Sequence, residues 1–371
     1  MSLSRFVFCG LSVVGILQGQ SSVGLGDRQE ILFEGRVLRR AAAASGFSPA
    51  PEFPEIGQGA MGLNHSDWAW DGAKAYRVGL TEDRRWVASI GTPFMASGGG
   101  LRWHWGDSIR LELAQKDTYV LLGAWEESLL FLHIRGASEQ KPGTAKDGKA
   151  LGASQALLRV DLMTGAIANL AEVQRGDDVR VSSLFSDGAF YVFTASGAAI
   201  KVGVRIEPWG VDKLSSNFWA EAGLTLCKDT KDYQNPLLFG RAFFHQDGSI
   251  LIPAQVLLPL SRQDIDQAWA RLSNARRMEL IREGQWPIPV DKEVGWKDDV
   301  CFVKFDPSNA TFTQAERSSF VHLTEEKDAN FKVRQFRDFD PSMVFTSSKG
   351  KIVRLEEVVK PAEIPEKAAE K

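Results

Sequence analysis

The residues that invite a chemical reading are acids, tryptophans and a few histidines, and none falls into a compact motif. Asn64-His65, Asp117, Asp177-Asp178, Asn235, Asp291 or Glu293, and Asp338 with Asp340 recur at comparable distances before apolar, strand-like stretches. If those stretches are equivalent strands around one axis, the acids share one rim. Carboxylates gathered there repel each other unless protonated or joined by a cation. Oxygen-only ligands select a hard ion, so Asp117, Asp178, Glu293 and Asp338 are a candidate calcium set. Asp and Asn also make turns and caps before strands, which is the commoner reason to find them there.

Tryptophan gives the second signal. Trp68 and Trp70 stand two apart, as do Trp103 and Trp105, and on a strand such pairs share a face. Exposed, they form a stacking platform for sugars or peptide side chains. Buried, they fill space between packed sheets, and the cost of leaving large apolar rings wet favours this. Asn64, His65, Trp103 and Trp105 are therefore the candidate ligand-binding residues.

Other chemistry lacks its residues. The histidines His65, His104, His133, His245 and His322 form no HExxH. No GxSxG elbow occurs, and the Gly-rich Ala96–Leu101 lacks a P-loop lysine. Cys227 and Cys301 have no CxxC spacing, which argues against zinc. They read as one disulfide across a long loop or as two separate buried thiols. A net charge of −3 provides no basic field for non-specific nucleic-acid binding. No certain cofactor follows, and the partner is an unspecified protein or small ligand, carbohydrate among them.

The elements that must position these residues repeat. Short hairpins turn at Asp71-Gly72, Glu126–Ser128, Asp187-Gly188, Asp247-Gly248, Lys297–Asp299 and Lys349-Gly350. Successive turns lie about 56, 60, 60, 51 and 51 positions apart, a period expected of propellers and solenoids. Second hairpins at Glu82-Asp83, Thr164-Gly165 and Pro307–Asn309 bring each unit to four strands, the content of a propeller blade. The sequence thus predicts an all-β, six-bladed β-propeller over 61–359. One α-helix is inserted at 261–282, capped by Ser261 and Asp264, with Trp269 and Leu272 packed on the fourth repeat unit. An irregular lead-in covers 22–60, where the strand-like Arg28–Leu38 pairs with the C-terminal repeat, and a disordered tail covers 360–371.

Residues 1–21 combine Arg5, the apolar run Phe6–Leu17 and the small residues Gly19 and Ser21, the order of a secretory signal. An uncleaved anchor or a buried strand are the alternatives. The signal predicts a secreted or periplasmic protein with no membrane span after its removal.

"SDGAFYVF", "QDGSILIP", "SKGKIVRL" and "VDLMTGAIANL" resemble six-bladed propellers of the NHL and lactonase-like kind. The resemblance implies architecture over most of the chain from about residue 61. It also implies an axial metal site of the lactonase kind, and with it a metal-dependent hydrolase as the alternative to a binding scaffold without catalysis.

Overall fold

The computed structural model describes residues 21–56 (except 34, 42, 43 and 45), 65–135, 154–173, 180–224 and 237–259 (except 239 and 240). It also describes 263, 266, 269, 270, 272–283, 296–314, 324–327, 333–336, 345–349, 351–355, 358 and 359.

The first sheet is built from β1 (Ser21–Leu25), β2 (Arg28–Phe33), β3 (Arg36–Ala41) and β4 (Ser48–Pro49). The second holds β5 (His65–Trp70), β6 (Ala75–Leu80), β7 (Trp86–Met95) and β8 (Leu101–Trp105), with β9 (Ile109–Arg110) also on β7. The third holds β10 (Thr118–Trp125), β11 (Ser128–Arg135), β12 (Ser154–Asp161) and β13 (Ile167–Val173). The fourth holds β14 (Val181–Ser186), β15 (Ala189–Thr194), β16 (Ala199–Gly203) and β17 (Gly210–Ser215), followed by α1 (Phe218–Glu221). In each, strands pair antiparallel in chain order, which is the blade pattern.

In the fifth blade, β18 (Leu237–Leu238) and β19 (Phe243–Phe244) both pair with β20 (Ile250–Pro259). After α2 (Asn274–Arg282) come β21 (Trp296–Asp306) and β22 (Thr311–Gln314). A hairpin of β23 (Thr324–Lys327) and β24 (Val333–Phe336) touches β21 by a parallel pair. The sixth blade is described as the hairpin of β25 (Phe345–Ser348) and β26 (Lys351–Arg354). The fold is a six-bladed β-propeller with a helical insertion.

Turn chemistry explains the hairpins. Glu126 and Glu127 both have positive φ (45° and 59°), as do Asp187 and Gly188 (50° and 81°). Two left-handed residues make the turn whose twist matches paired strands. Elsewhere an aspartate closes the loop by accepting backbone N–H bonds: Asp71 from Ala73 and Lys74, Asp161 from Met163 and Thr164, Asp306 from Ser308. The turns gather at one end. A Cβ on Gly72 would meet Leu25 Cδ1 at 2.7 Å, and Lys74 pairs with Glu127 across blades two and three.

Two expectations change. Lys297–Asp299 is no turn: it runs inside β21, paired with Leu258, Leu257 and Val256 of β20. The long β20–β21 ladder overrides the local polarity of those three residues, and the helical insertion becomes its connecting loop. The place in the ring given to that turn belongs instead to the lead-in. Residues 21–49 form a blade of their own, turning at Gly26 with φ 61°. Arg28–Leu38 pairs with β1 and β4 rather than with the last hairpin. The C-terminal contact is made by the Phe47–Val359 bridge and the packing of Leu38 and Phe47 with Leu355.

The innermost strands of the first and fourth blades pair in parallel at Val23 and Phe185, making one eight-stranded sheet. This pair joins the two blades directly through their backbones. In the insertion, Ser273 caps α2, so a new helix starts at Asn274 within the single helix expected over 261–282, and Met278 and Ile281 are exposed. Trp269 lies under the Arg277 guanidinium, 5.9 Å away. Ser261 and Asp264 lie outside the described residues, as do residues 1–20 and the tail from 360.

Candidate binding site

At the end opposite the turns, Asp117 precedes β10 and accepts a hydrogen bond from His133 Nε2 at 2.8 Å. His133 is the cross-strand partner of Tyr119, and their rings stack at 4.6 Å with planes 3° apart. Burial raises the Tyr119 phenol above its ordinary pKa. Asn64, Asp178, Glu293 and Asp338 lie outside the described residues. His65 opens β5 opposite Leu80. Among the described residues no three His, Cys, Asp or Glu side chains gather as a cation site.

Arginines also stand at this end. Arg180 directly precedes β14 and Arg241 stands two residues before β19. Desolvation pulls the Arg241 guanidinium down to about 10, against the opposing charge of Asp67. The described part of the rim is therefore mixed in sign, and the sequence reading considered only its acids.

The four tryptophans come together. Strand register sets Trp68 opposite Arg77, Arg77 opposite Ser89, Gly91 opposite Trp105 and Pro93 opposite Trp103. Alternation then puts Trp68, Trp70, Trp103 and Trp105 on the face turned to the first blade. Trp70 is fully buried and donates to Glu30 Oε2 at 3.0 Å. Trp103 donates to the Pro54 carbonyl at 2.6 Å and stacks with Phe53 at 6.5 Å. Trp68 and Trp105 meet edge to face at 5.6 Å, and Trp103 and Trp105 lie 6.1 Å apart, tilted by 32°. A Cβ on Gly91 would lie 2.7–2.9 Å from three ring atoms of Trp105, so this glycine lets the indole lie against the strand. The two readings of the tryptophans are thus divided. Trp70 fills the seam between blades, and Trp68, Trp103 and Trp105 are half-buried and pack against the same core cluster, making a shelf at its margin.

Glu30 anchors the shelf from below. It is fully buried and accepts from Arg39 Nε at 2.8 Å and Trp70, with Arg28 Nε 3.3 Å away. Arg39 also pairs with Glu52, and its guanidinium lies 5.9 Å from the Phe53 centroid. Desolvation lowers the basicity of Arg39, but the hydrogen bonds it donates to both carboxylates outweigh it and leave its pKa raised.

Arg77 differs. Its guanidinium lies 5.3 Å from the Trp68 centroid, and its Nε is buried without a hydrogen-bond partner. Desolvation lowers its pKa. No carboxylate pairs with it among the described residues, and the same holds for Arg40, Arg84 and Arg102, whereas Arg28, Arg36, Arg39, Arg85 and Arg110 are ion-paired; Arg40 differs from Arg77 in that its Nε donates to Gln29. Sequence reasoning missed both Arg77 and Glu30. Hairpin register was the available signal: a turn at 71–74 sets Trp68 against Arg77, and the pairing of Phe33 with Arg36 sets Glu30 against Arg39.

His104 is exposed on the opposite face, 6.3 Å from Phe94. Cys301 is buried in β21, and Cys227 lies outside the described residues. Among the described residues no helix is long and apolar enough to cross a membrane.

No family model and no curated protein matches the chain. Solved structures of β-propeller type do align with it. YjhT does so over 91% of this chain and 97% of its own, at 8% identity and a TM-score of 0.37. Oligogalacturonate lyase from Vibrio parahaemolyticus aligns over 93% and 76%, at 10% identity and TM-score 0.37. TolB from Acinetobacter baumannii aligns over 86% and 63%, at 10% identity and TM-score 0.29. No residue role transfers at these values, and the NHL and lactonase-like resemblance stays at the level of architecture.

Proposed function

We propose that this propeller is an exported binding protein that holds a saccharide on the second-blade shelf and does not turn it over. The observation that carries this reading is the grouping of Trp68, Trp103 and Trp105 on one face, half-buried and held at fixed mutual angles. A rigid indole offers a flat apolar surface to a sugar ring at little entropic cost. The support beneath it is polar and fully engaged: Glu30 is held by Arg28, Arg39 and Trp70. Such a carboxylate positions the rings rather than transferring protons. Export is proposed from the amino-terminal residues alone.

The competing hydrolase reading requires Asp117, Asp178, Glu293 and Asp338 to share a cation. Asp117 is already hydrogen-bonded to His133, which suits it to orienting that ring. The test is affinity electrophoresis through gels containing soluble polysaccharides. Retardation of the native protein and its loss in Trp105→Ala, with the variant still folded by circular dichroism at the assay temperature although its melting temperature falls, is the expected result. Equal retardation of both proteins, or none for the native protein across the panel, refutes the shelf as a sugar platform.

A further inference from the structure

Resting on that saccharide reading, we propose that the sugar is acidic, with Arg77 holding a ring carboxylate while Trp105, set at 69° to Trp68, takes the ring's apolar face. A buried donor left unpaired is costly, so such groups are paired in stable proteins or reserved for a ligand. Arg77 Nε is such a donor, and its guanidinium lies beside the Trp68 ring. The guanidinium is partly withdrawn from water with no carboxylate beside it among the described residues, and among the arginines of blades one and two its Nε is the one buried without a partner there.

The geometry of the pair decides the ligand class. One face of the Trp68 indole is covered by Arg77, which fixes the cation beside the ring surface rather than in open solvent. A ligand completing this arrangement must present a flat apolar patch and a carboxylate on the same small ring. A pyranose oxidised at its exocyclic carbon has both. A neutral pyranose satisfies the indoles but returns to Arg77 only hydroxyl oxygens, which are weaker acceptors for a guanidinium.

The experiment is a printed panel of pyranose oligosaccharides in which each neutral member is matched by its 6-carboxylate. Calorimetry then follows on one matched pair, cellobiose and cellobiouronic acid. A charge-assisted hydrogen bond leads us to expect the acid to bind on the order of 10- to 100-fold tighter. Arg77→Met keeps the alkyl stem over Trp68 and should bind both sugars equally, at the neutral affinity. Arg77→Lys keeps the charge without the Nε donor and serves if the methionine variant is unstable; its preference should fall part way. Equal retention of neutral and acidic members by the native protein overturns the acidity while leaving the saccharide reading standing. A preference that survives both Arg77 variants overturns the assignment to Arg77. Retention of no member overturns the saccharide reading and this inference with it.

Discussion

Replacing Glu30 by Gln should loosen the seam between the first and second blades more than its single-atom change suggests. The carboxylate is fully buried and receives Arg39 Nε at 2.8 Å, Trp70 Nε1 at 3.0 Å and the Arg28 guanidinium at 3.3 Å. Glutamine retains one acceptor and sets an NH2 donor against groups that are donors themselves. Removing one partner of a buried ion pair costs about 3–5 kcal/mol. Arg39 and Arg28 are 28% and 44% exposed, so water can recover part of their solvation. That points to the lower bound, about 3 kcal/mol, a large share of a typical total of 5–15 kcal/mol. The assay is urea unfolding followed by near-ultraviolet circular dichroism, with the slope compared between variants. Trp70→Phe alone and with Glu30→Gln completes a double-mutant cycle. Direct contact predicts a coupling of about 0.5–3 kcal/mol. A loss below about 1 kcal/mol for Glu30→Gln, on the scale of an exposed pair, or strict additivity with Trp70→Phe, refutes the claim that Glu30 anchors the shelf.

Two further outcomes are expected. Gly123→Ala would drive a Cβ well inside van der Waals contact with Phe190, so it should destabilise by about 1–3 kcal/mol or more, with partial recovery when combined with Phe190→Leu; an unchanged denaturation midpoint contradicts this. Desolvation acts to raise the Asp247 pKa, but hydrogen bonds from Lys304, Ser249 and His245 outweigh it and hold the carboxyl well below its ordinary value. The stabilisation is complete above the unfolded pKa of about 4 and is lost as pH falls from there through the folded value. Asp247→Asn should therefore flatten the acid limb of the melting-temperature profile, and an identical limb in both proteins rules out that contribution.

Local chemistry was legible and long-range chemistry was not. Asp71-Gly72, Asp187-Gly188 and Asp247-Gly248 turn where they were expected because a left-handed glycine acts within four residues, joined by an aspartate cap at Asp71 and Asp247 and by a second left-handed residue at Asp187. Lys297–Asp299 misled because a polar run carries no mark of the ten-residue ladder that β20 imposes on it. The turn at Gly26 escaped notice because its first strand, β1, adjoins the apolar amino-terminal stretch. That Trp68 and Trp70 share a face followed from their spacing. Their unequal burial depends on Glu30 and Phe53, supplied by a blade that the sequence reading had treated as lead-in. Three of the four proposed calcium ligands lie outside the described residues, and the fourth, Asp117, is engaged by a histidine that spacing did not bring near it.

The parallel pairing of Val23 with Phe185 has a consequence for the order of events during synthesis. The opening strand cannot reach this partner until the fourth blade has left the ribosome. At about 5–20 residues per second, that interval is roughly 10–30 s. Throughout it β1 has only its hairpin with β2, and an isolated hairpin is marginal in water. Ser21–Leu25 thus stays open to other binding partners until the fourth blade is complete. Once residue 185 docks, the same residues are enclosed at the centre of an eight-stranded sheet.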